Sequence, residues 1–105
     1  MQQLGGVHNG TMTLAEFKQT SANSAPPAGL APELLALWHD AHGDWEAAHR
    51  VAQDIPDPTG AWIHAYLHRK EGDLSNARYW YQRAGKPESR KTLDDEWEKI
   101  AEAML

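Results

Sequence analysis

A chain of 105 residues is long enough for one domain with a single hydrophobic core. Its formal charge of −5 argues against general nucleic-acid binding, which needs a basic surface, and the absence of cysteine excludes disulfides and thiolate metal sites. Hydrophobic residues make up only 41%, but five tryptophans and three tyrosines supply large apolar areas for a core.

The sequence also favours a cytoplasmic protein without a membrane-bound part. No apolar run approaches the roughly 18–20 residues that a membrane-spanning helix needs. The N-terminus lacks the basic start and the apolar stretch of a secretory signal. Neither feature identifies a partner.

The N-terminal part reads as an extension followed by a short helix. Residues 1–11 contain three glycines and are expected to be disordered. Thr13 and Glu16 form the sequence pattern of a capping box, which predicts a helix to about Thr20. Residues 21–31 are rich in proline and small residues and are predicted to be a linker.

Two helical hairpins are predicted next, each with a tight Gly-Asp turn. In the first, Pro32 suits the first turn of a helix, and Gly43 and Asp44 separate this helix from the following one. In the second, Asp57 and Pro58 are expected to open the helix as N-cap and first residue. That helix is broadly apolar, so it is predicted to be the most buried.

Gly72 and Asp73 form the turn of the second hairpin. A residue without Cβ can take the left-handed conformation that ends a helix, so Gly72 is predicted to have a positive φ. The carboxylate of Asp73 can cap the next helix. We therefore expect Gly72→Val to be among the most destabilising single changes.

The last helix is predicted to begin after Thr92 and to carry the clearest amphipathic stripe. Its apolar residues recur at offsets 0, 4, 7, 8 and 11, and they are Leu93, Trp97, Ile100, Ala101 and Met104. An isolated helix of this length is marginal in water. It is therefore expected to dock on the hairpins or on another chain.

The hairpins are related by an internal repeat with an offset of 29 residues. Six pairs of identical residues coincide: Ala36 and Ala65, His39 and His68, Gly43 and Gly72, Asp44 and Asp73, Ala48 and Ala77, Gln53 and Gln82. The small residues Ala48 and Ala77 are expected to let the paired helices approach closely, with Trp45 and Leu74 filling the space beside them. Such a period is typical of helical solenoids.

The stretch AYLHRKEGDLSNARYWYQRAG resembles tetratricopeptide and Sel1-like repeats, and more specifically a family of short bacterial proteins. The resemblance implies an all-α fold of two stacked antiparallel hairpins in a right-handed solenoid, with N- and C-terminal capping helices. The domain would cover residues 12–105, with repeat units at about 32–55 and 61–85. Because tetratricopeptide arrays bind peptides or proteins, the resemblance implies an interaction module or adaptor with a protein or peptide partner.

Histidines suggest an alternative function. His64 and His68 are four residues apart on one predicted helix, a spacing that can chelate a metal. His39 and His42 occupy the equivalent helix of the first repeat, so a site with four imidazoles is conceivable. The stronger reading places His39 and His68 at the edge of the core, donating hydrogen bonds to a carbonyl or carboxylate, and no metal is assigned.

Arginines extend this alternative to anions. Residues 61–91 carry seven basic and three acidic side chains. Arg69, Arg78 and Arg83, with nearby tyrosines, could bind a carboxylate or phosphate. The other reading pairs them within the chain with Asp73, Glu71 or the acidic residues of the last helix. The alternative function is thus a small-molecule, anion or metal-binding protein that uses His39, His64, His68, Arg69 and Arg78.

No arrangement typical of catalysis is found in the sequence. It has neither a glycine-rich phosphate loop nor an activated serine or cysteine nucleophile. We therefore predict that the protein is not an enzyme and has no cofactor. A homodimer formed through an aromatic surface remains open.

Overall fold

The computed structural model describes residues 12–105, and this part of the chain consists of α-helices and the loops between them. The all-α class is therefore confirmed, whereas the predicted disorder of residues 1–11 lies outside the described residues. The helices are α1 (Leu14–Thr20), α2 (Pro32–Ala41), α3 (Trp45–Gln53), α4 (Thr59–Glu71), α5 (Leu74–Ala84) and α6 (Leu93–Met104). Within the described range, none of these helices has the length and apolar character required to cross a bilayer.

Most helices begin at the predicted capping residues. The Thr13 hydroxyl accepts from the Glu16 N–H at 3.1 Å, and Glu16 Oε1 accepts from the Thr13 N–H at 2.9 Å, which completes the capping box. The side chains of Asp44, Asp73 and Thr92 each accept from a backbone N–H three residues later. These bonds satisfy N–H groups that have no partner inside the helix.

The start of α4 differs from the prediction. Pro58, not Asp57, is the N-cap, and it makes no side-chain capping bond; the peptide bond between the two residues is cis. The Asp57 carboxylate instead accepts from Arg83 Nη2 at 2.6 Å and Nε at 3.0 Å. A charged guanidinium with two donors is a stronger partner than one backbone N–H, and this explains the difference.

The two Gly-Asp turns have the same backbone geometry. Gly43 and Gly72 have φ values of +88° and +91°, so the left-handed conformation predicted for Gly72 is confirmed. The N–H of Asp44 donates to the His39 carbonyl at 2.9 Å, and that of Asp73 donates to the His68 carbonyl at 3.0 Å. The 29-residue repeat is therefore present in the hydrogen bonding of the backbone.

Packing around the turns follows the repeat only in part. Ala48 and Ala77 are both buried, as expected for close helix approach. Trp45 is half-buried and its indole N–H donates to the Leu67 carbonyl at 2.8 Å, but Leu74 is 57% exposed, so its predicted inward position is wrong. The reason is that α3 packs on both α2 and α4, whereas α5 packs extensively on α4 alone.

Helix α4 is the centre of the fold. Its residues from Gly60 to His68 are all buried, and the helix contacts α2, α3, α5 and α6. The backbone of Gly60 lies so close to the end of α3 that a Cβ there would overlap the Ile55 carbonyl oxygen. The predicted burial of this helix is confirmed.

Helix α6 docks its apolar stripe on the rest of the same chain. It contacts α1, α2 and α4. The Trp97 ring stacks on Phe17 of α1 with 5.6 Å between centroids, and its indole N–H donates to the Leu37 carbonyl of α2 at 3.0 Å. The solenoid arrangement itself stays a prediction.

Candidate functional site

The three arginines singled out in the sequence lie in separate ion pairs. The pairs are Arg69–Glu96 at 2.8 Å, Arg78–Glu88 at 3.1 Å and Arg83–Asp57 at 2.6 Å. Arg69 also donates to the carbonyl of Lys91. They therefore do not converge on one pocket. Each arginine pairs within the chain, but of the three partners only Glu96 of the last helix is among the acids expected from the sequence.

A different set of cations lines an open cleft between the first turn of α4, the loop after α5, and α6. The cleft has a volume of about 430 Å³. We call it the basic cleft and define it by Trp62, Lys86, Arg90, Lys91 and Lys99. Within residues 12–105, none of its four cationic side chains forms an ion pair.

The position of Lys86 follows from the end of α5. Its backbone N–H donates to the Tyr81 carbonyl at 3.0 Å, so the loop leaves α5 in a fixed direction. Its ammonium nitrogen lies 4.1 Å from the centroid of the Trp62 ring, a cation–π contact. Trp62 is only 7% exposed and forms a rigid wall of the basic cleft.

The carboxylates of the cleft are already bonded to other side chains. Glu96 is 2% exposed; it accepts from Arg69 through Oε1 and from the Tyr81 hydroxyl through Oε2 at 2.6 Å. Burial, followed by the hydrogen bond to this carboxylate, raises the pKa of Tyr81, which keeps the phenol protonated as a donor. Glu88 is bound by Arg78. The unpaired charge of the basic cleft is consequently positive.

A second cleft of about 330 Å³ contains Asp40, which is 3% exposed. Asp40 accepts from the Tyr66 hydroxyl at 2.8 Å and from Lys70 Nζ at 2.9 Å. Burial and the Asp40 charge raise the pKa of Tyr66, so this phenol also stays a donor. At the mouth, Lys18 and Glu98 pair at 2.6 Å. Within residues 12–105 these two ion pairs leave Asp94 as the unpaired charge of the cleft, so it suits an anionic ligand less than the basic cleft does.

The predicted histidines separate into two places. His39 and His42 lie against Trp38 of α2, with ring centroids 5.4 and 4.6 Å away from it. Within residues 12–105, no ring contact joins either of them to His64 or His68. The four-imidazole arrangement therefore does not form.

His64 and His68 are instead joined by His49 from α3, which the sequence reasoning missed. The ring centroids are 4.9 Å apart for His49 and His64, 5.2 Å for His49 and His68, and 5.9 Å for His64 and His68. We call these three rings the imidazole cluster. A signal was present, because His49 lies four residues after Trp45 on the inward face of α3.

Indole rings enclose the imidazole cluster. Trp45 stacks on His49 at 4.9 Å and Trp80 stacks on His64 at 4.1 Å. Burial lowers the pKa of His64 to about 4, and it also lowers the pKa of His49, with a contribution from the neighbouring imidazole in each case. His64 is therefore uncharged at neutral pH.

Another group of metal-binding side-chain types is found at the turn after α4. Among the described residues, only His68, Glu71 and Asp73 bring three ligand atoms within 4.8 Å of one another. Both carboxylates are exposed and already engaged, Glu71 with His68 Nδ1 at 2.6 Å and Asp73 as the cap of α5. This group is explained by the turn.

Comparison with protein-family models, with curated proteins and with solved structures gives no significant match to this chain. The resemblance to tetratricopeptide and Sel1-like repeats therefore stays a prediction. The candidate sites rest on the geometry described above.

Proposed function

We propose that this protein is a small helical-repeat interaction module that binds an acidic peptide segment of a protein partner in the basic cleft. The observation that carries the proposal is the group of four cations beside the buried Trp62 that form no ion pair within residues 12–105. Carboxylates of a peptide would form ion pairs with these cations and neutralise their charge. The volume of about 430 Å³ falls within the range of about 300–1,000 Å³ typical of ligand sites.

The charges around the basic cleft favour a short acidic segment over a nucleic acid. The whole chain has a formal charge of −5, and α6 carries acidic residues in its first turn, including Asp94 and Asp95. A long polyanion would be repelled by these side chains outside the cleft. The resemblance to peptide-binding repeats and the lack of a catalytic motif in the sequence support the same proposal. We also propose that the module acts in the cytoplasm.

Binding of a fluorescein-labelled octapeptide rich in aspartate and glutamate, measured by anisotropy, tests the proposal. We expect saturable binding that weakens between 50 and 200 mM salt, because the contacts are charge pairs near the surface. The double variant Lys86→Glu, Arg90→Glu should lose at least tenfold in affinity. Arg50→Glu is the matched control, since Arg50 is an exposed cation of α3 that forms no ion pair in the described part of the chain.

Three results would overturn the proposal. Equal losses in the Arg50→Glu protein would show non-specific attraction, and tighter binding of a single-stranded oligonucleotide of the same charge would assign the cleft to nucleic acid. Light scattering provides the third, because a dimer that dissociates in the Lys86→Glu, Arg90→Glu protein would assign the cleft to a second copy of the chain.

A further inference from the structure

The imidazole cluster has no part in the proposed peptide site. His64 and His68 come from α4 and are 5% and 7% exposed, and His49 approaches them from α3. All three pairwise distances between ring centroids are below 6 Å. Three imidazoles held this closely, two of them buried, call for a chemical explanation beyond packing.

Hydrogen bonds leave one nitrogen on each α4 ring without a strong partner. Nδ1 of His64 lies 3.2 Å from the Gly60 carbonyl oxygen, and Nδ1 of His68 lies 2.6 Å from Glu71 Oε2. Because both neighbours are acceptors, they favour the tautomer in which Nδ1 carries the proton and Nε2 carries the lone pair that a metal can bind. The amide nitrogen of Asn76 is 3.5 Å from His68 Nε2, too far for a strong bond.

Metal-binding histidines have the same hydrogen-bonding arrangement at the ring nitrogen that does not bind the metal. Such a histidine almost always donates its second N–H to a carboxylate or a backbone carbonyl, which fixes the ring and makes the other nitrogen a better ligand. His68 has the carboxylate and His64 has the carbonyl. Within the described part of the chain, the His49 ring makes no hydrogen bond, so both of its nitrogens are available.

The spacing also fits one metal ion. With metal–nitrogen bonds of about 2.0–2.1 Å, three imidazoles on a tetrahedral ion have ring centroids about 5 Å apart. The observed 4.9, 5.2 and 5.9 Å are close to this separation. The three ligand nitrogens do not all lie within 4.8 Å, so ligation requires side-chain rotation at more than one ring, since the widest separation is between His64 and His68. Among the described residues, the His49 ring is the one of the three that no hydrogen bond holds.

We propose that His49, His64 and His68 form a binding site for one divalent transition metal ion that prefers imidazole, of the class of Zn²⁺, Ni²⁺ and Cu²⁺. Three neutral nitrogen ligands suit these ions and do not suit Mg²⁺ or Ca²⁺, which require oxygen. Trp45 and Trp80 restrict access of water from two sides. The fourth coordination position is left to water or to a group of a partner.

Titration of the full chain, stripped with a chelator, tests the site at pH 7.5 by calorimetry and by tryptophan fluorescence. We expect one ion per chain, and quenching by Cu²⁺ because Trp45 and Trp80 stack on the ligand rings. His49→Ala and His68→Ala should each weaken binding at least tenfold, and Glu71→Gln about tenfold through loss of the outer hydrogen bond. His39→Ala and His42→Ala are the matched controls and should bind as the parent does.

Several results would contradict the proposal. One is that none of the three ions binds stoichiometrically to protein whose far-ultraviolet circular dichroism shows the native fold. Another is an unchanged metal affinity of the His49→Ala protein, in which the replaced side chain is only half-buried and the fold is expected to be kept. Asp73→Asn keeps a residue able to cap α5, so a loss of binding in this variant with none in His49→Ala would move the metal to the exposed turn.

Discussion

Gly60 is the position where the fold leaves least room for a side chain. A Cβ there would overlap the Ile55 carbonyl oxygen and lie 2.8 Å from its carbon, so the backbone between α3 and α4 would have to move. We predict that Gly60→Ala lowers the free energy of unfolding by about 3 kcal/mol or more, as measured by urea denaturation.

Gly72→Ala is the control for this prediction. Gly72 has a φ of +91°, but a Cβ there meets nothing within 4 Å, so only the conformational penalty of about 1–2 kcal/mol applies. Equal losses in the two proteins would contradict the prediction. Sequence reasoning singled out Gly72 because a Gly-Asp turn has a recognisable signal, whereas the crowding at Gly60 depends on the path of the loop between α3 and α4.

Glu96 and Glu98 provide a comparison on one helix. Glu96 is buried between Arg69 and Tyr81, whereas Glu98 pairs with Lys18 at the surface. Removal of one partner from a buried pair leaves the other charge without compensation, at a cost of about 3–5 kcal/mol, and surface pairs contribute about 0–1 kcal/mol. We predict that Glu96→Ala loses about 3–5 kcal/mol of stability and Glu98→Ala about 0–1 kcal/mol, as measured by thermal denaturation. Similar losses in both variants would contradict the distinction between a buried and a surface pair.

His64 makes the stability depend on pH. Its pKa is about 4 in the folded chain and near its ordinary value of 6.5 in the unfolded chain, so between these values the unfolded state binds more protons. Protonation of His64 therefore has no effect on the free energy of unfolding above about pH 6.5, and it lowers that free energy as the pH decreases toward 4. The His64 contribution between pH 7.5 and 5.5 is about 1 kcal/mol.

His64→Gln should remove this part of the pH dependence. The measurement is urea denaturation at both pH values in buffer that contains a chelator, so that metal binding does not contribute. An equally steep loss of stability in the variant would show that other groups carry the effect.

Helices and their ends were largely predictable because their signals are local. Thr13, Asp44, Asp73 and Thr92 cap helices as expected, since each bond spans only three residues. The exception is Asp57, whose partner Arg83 lies 26 residues away. A contact at that distance in the sequence competes with the cap and leaves no local pattern.

The candidate sites were less predictable than the helices, for the same reason. The positive charge of residues 61–91 indicated an anion site, but Arg69 and Arg83 are neutralised by acids outside this segment and Arg78 by Glu88 within it. The basic cleft includes Lys99, which belongs to an otherwise acidic helix. His49 joins His64 because α3 packs on α4, a relation that the repeat does not specify.

The described part of the molecule should unfold as one unit. Helix α6 is joined to α2 by the Trp97 hydrogen bond, to α4 by Glu96 and Arg69, and to α5 by Glu96 and Tyr81. Neither hairpin can then open without disrupting α6. We predict that urea curves from tryptophan fluorescence and from far-ultraviolet circular dichroism coincide. A plateau in either curve would show that the hairpins unfold separately.

The docking of α6 also limits how this protein can change in evolution. Repeat proteins ordinarily lengthen by duplication of a unit, because each unit contacts only its neighbours. Here Trp97 bonds to the first hairpin while Glu96 bonds to the second. A third unit inserted between them would separate α6 from one of these partners, and its buried polar groups would lose their bonds. The final helix therefore opposes the insertion of a further unit between the two hairpins.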